Sequence, residues 1–413
     1  MTASLKIPVP ERPELEPMWS SHPVATWLTR HEHAANEIEF FYGALNDRLV
    51  AAGIPLFRAT FGLLSMHPQV FARNFLWHHT DGVQVIDRKI ADSNKREDYI
   101  RSPVYLLHQG VDSIRRRLDL PDPMLDFPIL HDLKAEGATD YVAMALRFST
   151  GQINFVSWST DQAGGFTTEQ LSLLHDLLPL ISLRLELASA YFMAGTLLNT
   201  YLGPAAARRV LSGTTRRAEG ELIKAAIFYS DLRSFTAMAD AVPSEEIIET
   251  LNDYFDCMIA PVKSRGGEVL KFIGDGMLAI FQMDRISADE AACQAVGAAV
   301  EAFHNLNRLN DGRQANGRPV LRAGIALHAG EVMFGNIGSG DRLDFTVIGP
   351  AVNEVSRMES LTHMLDKPLL LSKPFAKHNC GSALDSLGFH VLRGVREPRE
   401  LFTLPDHLLT TGC

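Results

Sequence analysis

At 413 residues, with 46% hydrophobic and 21% charged side chains, the chain is long enough for two or three domains and has the composition of a globular protein. Its formal charge of −10, with no long basic segment, argues against nucleic acid or an anionic membrane as a partner. Cys257, Cys293, Cys380 and Cys413 fall in no metal-ligand spacing, and the opening MTASLKIPVPERPELEPMW has no apolar signal core, so a cytoplasmic location is expected.

In chain order, residues 1–34 read as an N-terminal extension and 35–52 as an amphipathic helix. Residues 140–161 read as two half-buried strands around a turn at Ser149-Thr150-Gly151. Trp77, His78 and His79 invite a haem or metal reading, but without a ligand-spacing signature they are read as surface or core residues. The absence of cysteine from the first half excludes a thioether-linked bilin there. Residues 177–198 are long and apolar, yet Pro179, Arg184 and Glu186 interrupt them, and mid-bilayer charges cost roughly 2.5–3.5 kcal/mol each, so no membrane span is expected. A heptad fits better, with Leu171, Leu178, Leu185 and Phe192 in one column and Leu174, Ile181 and Ala188 in the other. This predicts a dimer seam; an amphipathic helix packed on its own domain is the alternative. Thr167 and Gln170 have capping-box spacing at its start. Residues 166–219 are thus read as a helical linker or transducer, a coiled coil in outline, whose polar, Arg-rich end (197–221) is a connector. The α+β pattern over 35–165, leading into a long exit helix, resembles a GAF-type sensor domain. That resemblance implies a regulatory unit with an unknown small-molecule signal.

The second domain is expected over 220–405, with a tail at 406–413. Strand-like IKAAIFYSD, a helix from Pro243 to Gly266, the hairpin GEVLKFIGDGMLAIFQ, a second helix over 287–310 and further strand through Gly338 make an α+β layer with helices against one sheet. No Walker loop or dinucleotide-type glycine triplet is present. Asp231 ends an apolar strand and Asp275 sits in a tight turn. Each alone suits an N-cap or a hairpin turn. Together at neighbouring strand ends they would suit magnesium and a triphosphate. Asn353 and Arg357, four apart on a helix after Gly349-Pro350, lie about 5–6 Å from each other on one face.

FYSDLRSFT, EVLKFIGDGMLAIF, GIALHAGEVMFGNIGS and DFTVIGPAVNEVSR occur in this order, and the segment resembles the class III nucleotidyl cyclase catalytic domain. The resemblance implies a ferredoxin-like βαββαβ core and the conversion of ATP to 3′,5′-cyclic AMP and pyrophosphate. Asp231 and Asp275 would hold two Mg2+ per site, with Mn2+ able to substitute and the Leu232 carbonyl as a further ligand. Backbone N–H groups from Arg233, Ser234, Phe235 and Thr236 would meet the β- and γ-phosphates, and Arg393 the terminal phosphates. Asn353 would orient the ribose and Arg357 neutralise the reacting α-phosphate. Lys271 matches the adenine-accepting lysine of adenylyl members. Thr346 replaces the Asp of the commonest ones, as in the class IIIb subgroup, several of whose members respond to bicarbonate. Asp344 is set aside because it lies nine residues before Asn353 rather than seven. The family draws its aspartates from one chain and the Lys, Thr, Asn and Arg from the other, which implies a homodimer with two interfacial sites. A catalytically silent nucleotide-binding regulator stays open as an alternative; a guanylyl cyclase is opposed by Lys271.

Overall fold

The computed structural model describes residues 22–30, 38–67, 70–89, 95–213, 220–240, 243–339, 342–378, 381 and 383–410. Its two units, Met1–Leu197 and Leu198–Cys413, each form around a sheet of their own. Most of the expected N-terminal extension, residues 214–219 of the connector, Cys380 and Cys413 lie outside the described residues.

The first unit begins with α1 (Pro23–Thr29), α2 (Ile38–Ala51), β1 (Arg58–His67), β2 (Val70–His78) and β3 (Gly82–Lys89). It continues through α3 (Lys95–Ile100), α4 (Pro103–His108), β4 (Ser113–Arg117), α5 (Pro128–Ala135), β5 (Asp140–Arg147), β6 (Ile153–Thr160) and α6 (Thr168–Leu202). The strands form one antiparallel sheet in the order β3-β2-β1-β6-β5-β4. Successive strand residues face opposite sides: Val142, Met144 and Leu146 of β5 join Phe61, Phe75 and Trp158 in a core closed by α2 and α6. Tyr141, Ala143 and Ala145 join a second core closed by Leu107 of α4 and Leu130 and Leu133 of α5. The β5–β6 hairpin turns where expected. Trp77 is buried and donates to Asp47 (3.1 Å), His78 pairs with Thr80 (2.8 Å), and His79 lies against Phe57.

The capping box at the start of α6 is reciprocal. Thr167 N–H donates to Gln170 Oε1 at 2.9 Å, and Gln170 N–H donates to Thr167 Oγ1 at 3.2 Å. The expected seam residues lie elsewhere than at a free surface. Leu174, Ile181, Leu185 and Ala188 are buried in the unit's own core, with Leu171, Leu178 and Phe192 packed on it. The exposed apolar line runs instead through Leu183, Leu187 and Tyr191, which are 62%, 41% and 50% exposed. A helix with apolar side chains on several faces has more than one candidate stripe, and the sheet covers the one the heptad had selected. Among the described residues α6 is also the helix long and apolar enough to cross a membrane by length and composition.

The second unit contains α7 (Pro204–Leu211), β7 (Gly220–Leu232), α8 (Phe235–Ala239), α9 (Ser244–Ser264), β8 (Glu268–Ile273), β9 (Gly276–Gln282), α10 (Ala288–Ala315) and β10 (Ala323–Gly338). There follow β11 (Leu343–Ile348), α11 (Pro350–Glu359), α12 (Leu361–Met364), β12 (Leu369–Ser372), α13 (Lys373–Ala376), β13 (Asp385–His390), β14 (Arg399–Thr403) and α14 (His407–Thr410). The sheet order is β13-β14-β12-β10-β7-β9-β8, with β11 paired to β10. The succession β7-α9-β8-β9-α10-β10 is the expected βαββαβ. On β7, Ala226 and Phe228 face a core with Tyr254 and Met258 of α9 and Ala295 and Ala299 of α10. Ala225, Ile227 and Tyr229 face another with Val355 and Met358 of α11. Cover on both faces explains the unbroken apolar run of this strand. The connector differs from expectation: part of it is α7, whose Ala205 and Ala206 are buried in the α11-side core. Three alanines give little hydrophobic signal beside Arg208 and Arg209, so the segment reads as polar.

Candidate active site

Strand phase carries Asp231 to one place. Ala225, Ile227 and Tyr229 face α11, and Asp231 follows in the same alternation at the end of β7. The β8–β9 hairpin pairs Ile273 with Gly276 across the two-residue turn Gly274-Asp275. Gly274 has φ 64°, the left-handed conformation that favours glycine at the first turn position. Gly276 allows the tip to close on β7, because a Cβ there would stand 3.2 Å from both the Ser230 carbonyl and the Tyr229 hydroxyl. Asp275 is thereby held beside Asp231.

A third carboxylate, absent from the sequence reading, joins them. Glu359 ends α11 and is buried, accepting from the Thr362 hydroxyl at 3.3 Å. It packs over Gly324, which is the β10 partner of Asp231; a Cβ at Gly324 would overlap Glu359 Oε1 and Thr362 Oγ1. Glu359 falls four residues after buried Val355, a phase consistent with the buried face of α11, but spacing alone does not bring it to Asp231. Burial first, then the Asp275 and Glu359 carboxylates, push the Asp231 carboxyl up to about 8. Burial chiefly pushes Glu359 to about 7. Asp231 Oδ1 is enclosed and has no hydrogen-bond partner among the described residues. Among those residues no three His, Cys, Asp or Glu side chains form a metal-holding group by themselves. A cation here would therefore rest on the two aspartates and take further oxygens from elsewhere.

Helix α11 starts at Pro350, in the first helical position that tolerates proline, after Gly349 at φ 148°. Asn353 is exposed and Arg357 half-buried. The Arg357 guanidinium lies against Gly394, next to exposed Arg393. At about 100° per residue, Glu359 points roughly 160° around the helix from Arg357. The polar pair and the carboxylates thus occupy different sides of α11.

Lys271 follows a bulge between Val269 and Lys271 on β8, and its ammonium meets Asp344 Oδ2 at 3.2 Å. Asp344, set aside on spacing, is thus the immediate partner of Lys271. Thr346 is buried opposite Gly335 on β10, and its hydroxyl has no partner among the described residues.

Residues 220–367 match the adenylate and guanylate cyclase catalytic domain. An adenylate cyclase of Anabaena cylindrica is 33% identical over 152 residues, 37% of this chain and 30% of that one. A solved adenylyl cyclase from P. aeruginosa is 25% identical, with a TM-score of 0.41 over 45% of this chain and 94% of that one. A solved guanylyl cyclase is 31% identical, with a TM-score of 0.40 over 44% and 92%. The chain spans about a third of the length of the curated relatives it matches.

Within the matched segment the turn after β7 departs from expectation at Arg233. Its N–H donates to the Arg322 carbonyl (2.8 Å) and one guanidinium nitrogen to the carbonyls of Thr362 and Lys367 (both 2.9 Å), so these donors brace the fold, while Nε is enclosed without a partner among the described residues. Ser234 has φ 61° and turns the chain into α8. Phe235 packs on the core of α9 and α10. Thr236 lies in α8, its side chain outside the description. The Leu232 side chain is buried, which leaves its backbone for any ligand role.

Proposed function

We propose that the chain is an adenylate cyclase, converting ATP to 3′,5′-cyclic AMP and pyrophosphate as a homodimer under the control of its N-terminal unit. One observation carries this reading: Asp231 and Asp275 converge at the strand ends while Asn353 and Arg357 occupy another side of the adjoining helix. That division supports a site completed by a second copy, with the aspartates of one chain meeting Lys271, Thr346, Asn353 and Arg357 of the other.

The orphaned Asp231 oxygen beside a second carboxylate fits a hard cation. Asp231, Asp275 and the Leu232 carbonyl would hold Mg2+, two ions per site, with Mn2+ as a substitute. When bound, the metal neutralises and orients the triphosphate. Asn353 orients the ribose so that its 3′-oxygen attacks the α-phosphorus as the bond to the pyrophosphate oxygen breaks, the hydroxyl proton passing to solvent. Arg357 neutralises charge developing on the α-phosphate. N–H groups of Ser234, Phe235 and Thr236, with Arg393, contact the terminal phosphates. An ammonium has three donors, so Lys271 retains two for the adenine ring beyond its bond to Asp344. The Thr346 hydroxyl accepts from the exocyclic amine. Bicarbonate is a proposed effector through the Lys/Thr pairing.

The test is turnover of ATP and GTP by the full chain with Mg2+ or Mn2+, the product identified by mass. Asp231→Ala chains, inactive alone, and Arg357→Ala chains, strongly slowed alone, should regain activity on mixing, because one site of the mixed dimer is intact. Absence of turnover of either nucleotide refutes the enzyme. Silent but verified mixed dimers refute the two-chain site.

A further inference from the structure

The N-terminal unit carries a part-open cavity of about 190 Å3 between its sheet and the α3–α4 segment. Gly62, Ala72, Val104 and Phe155 form much of its apolar wall. Gly62 is required by close approach: a Cβ there would overlap the Phe155 ring, which covers that part of β1. Against this wall stands one buried amide. Asn154 is 1% exposed, and its Oδ1 accepts from the Leu64 N–H at 3.2 Å. That bond fixes which end of the amide is oxygen. Nδ2 is left enclosed, with no hydrogen-bond partner among the described residues. Native folds rarely leave a buried donor unpaired, and each instance calls for an account.

His108 lines the same cavity. Its Nδ1 pairs with the Tyr99 hydroxyl at 2.8 Å, and the ring also interacts with the Ile153 backbone, so Asn154 Nδ2 is the donor left for a ligand. Burial pushes this imidazole below its usual range, so it gives a charged ligand no counter-ion inside. Arg88 and Asp98, both exposed on the lining, oppose each other in sign. The volume is below the roughly 300–1,000 Å3 of sites for drug-sized ligands, which favours a compact occupant.

We propose that this cavity binds a compact, uncharged, largely apolar molecule bearing one hydrogen-bond acceptor oxygen, which the Asn154 amide receives. The site stands apart from the cyclase reading and does not depend on it. Three isosteric probes test it on the full chain by saturation-transfer NMR and thermal shift. Acetophenone has the ring and the acceptor, α-methylstyrene lacks the acceptor, and benzoate adds a charge. Acetophenone should bind saturably, and the other two at least about tenfold more weakly, the scale of one buried hydrogen bond. Asn154→Leu should abolish the preference for acetophenone over α-methylstyrene. Val104→Trp, which fills the cavity from α4, should abolish binding of all three and serves as the deciding variant if Asn154→Leu does not fold. No saturable binding of acetophenone, no preference over α-methylstyrene, or binding untouched by a folded Val104→Trp chain overturns the proposal.

Discussion

Replacing Asp231 with Asn keeps the side-chain shape and removes the ionisation that the fold opposes beside Asp275 and Glu359. Burial and these neighbours raise the Asp231 carboxyl from 3.8 to about 8, so between these values the folded chain keeps a proton that the unfolded chain has lost. Stability from this group is therefore fully present below about pH 4 and falls as pH rises toward about 8. At about 1.4 kcal/mol per pH unit the full displacement would be several kcal/mol. The side chain is only half-buried, and solvent screening reduces the expected penalty to about 1–2 kcal/mol. For a domain of this size that is a shift of about 2–8 °C. Asn does not titrate. Thermal unfolding of the full chain with a chelator should give similar midpoints near pH 4–5 and a more stable Asp231→Asn variant at pH 8. Added Mg2+ should then stabilise the parent chain and leave the variant unchanged. A pH-independent difference, or a variant less stable at pH 8 without metal, would refute the reasoning.

Arg357→Ala should lower kcat on the order of 10²–10³ without unfolding the chain, the scale for one preorganised charge stabiliser. A change confined to KM would make Arg357 a binding residue only. Gly324→Ala should destabilise the second unit by about 1–3 kcal/mol, because the added methyl displaces Glu359 and Thr362; urea unfolding reads this directly, and an unchanged midpoint would mean that the end of α11 yields freely. Lys271→Glu with Thr346→Cys should reduce the ATP-to-GTP preference at least about tenfold, since each mismatched buried group costs about 1–3 kcal/mol. An unchanged preference in a folded dimer would mean that the base is read elsewhere.

Features that depend on neighbours in sequence were legible before the fold. Thr167 and Gln170 announce their reciprocal cap, Gly274-Asp275 its turn, and Gly349-Pro350 the start of α11. Features that depend on which surface meets which were not. The apolar columns of α6 satisfy the heptad rule and also the needs of a core helix, and periodicity does not say which face the sheet will cover. Glu359 joins Asp231 only because Gly324 lets α11 settle on β10, a contact between residues far apart in the chain. Arg233 lies in a turn matched to phosphate binding, yet its N–H and one guanidinium nitrogen go to the carbonyls of Arg322, Thr362 and Lys367.

Strand β10 pairs with β7 along its length, from Ala323 against Leu232 to Gly335 against Gly220, and also carries β11 and β12. Closing that pairing joins segments separated by about ninety residues at their nearest, an ordering cost that must be met before the contacts repay it. During synthesis β7, β8 and β9, with both aspartates, leave the ribosome well before β10. The nascent domain therefore passes through an interval in which β7 has one unpaired edge and its carboxylates lack the cover of α11. Such edges recruit other chains. The acidic tip of β7 and β9 keeps like charges together at that stage, and like charges at an open edge oppose its pairing with another strand.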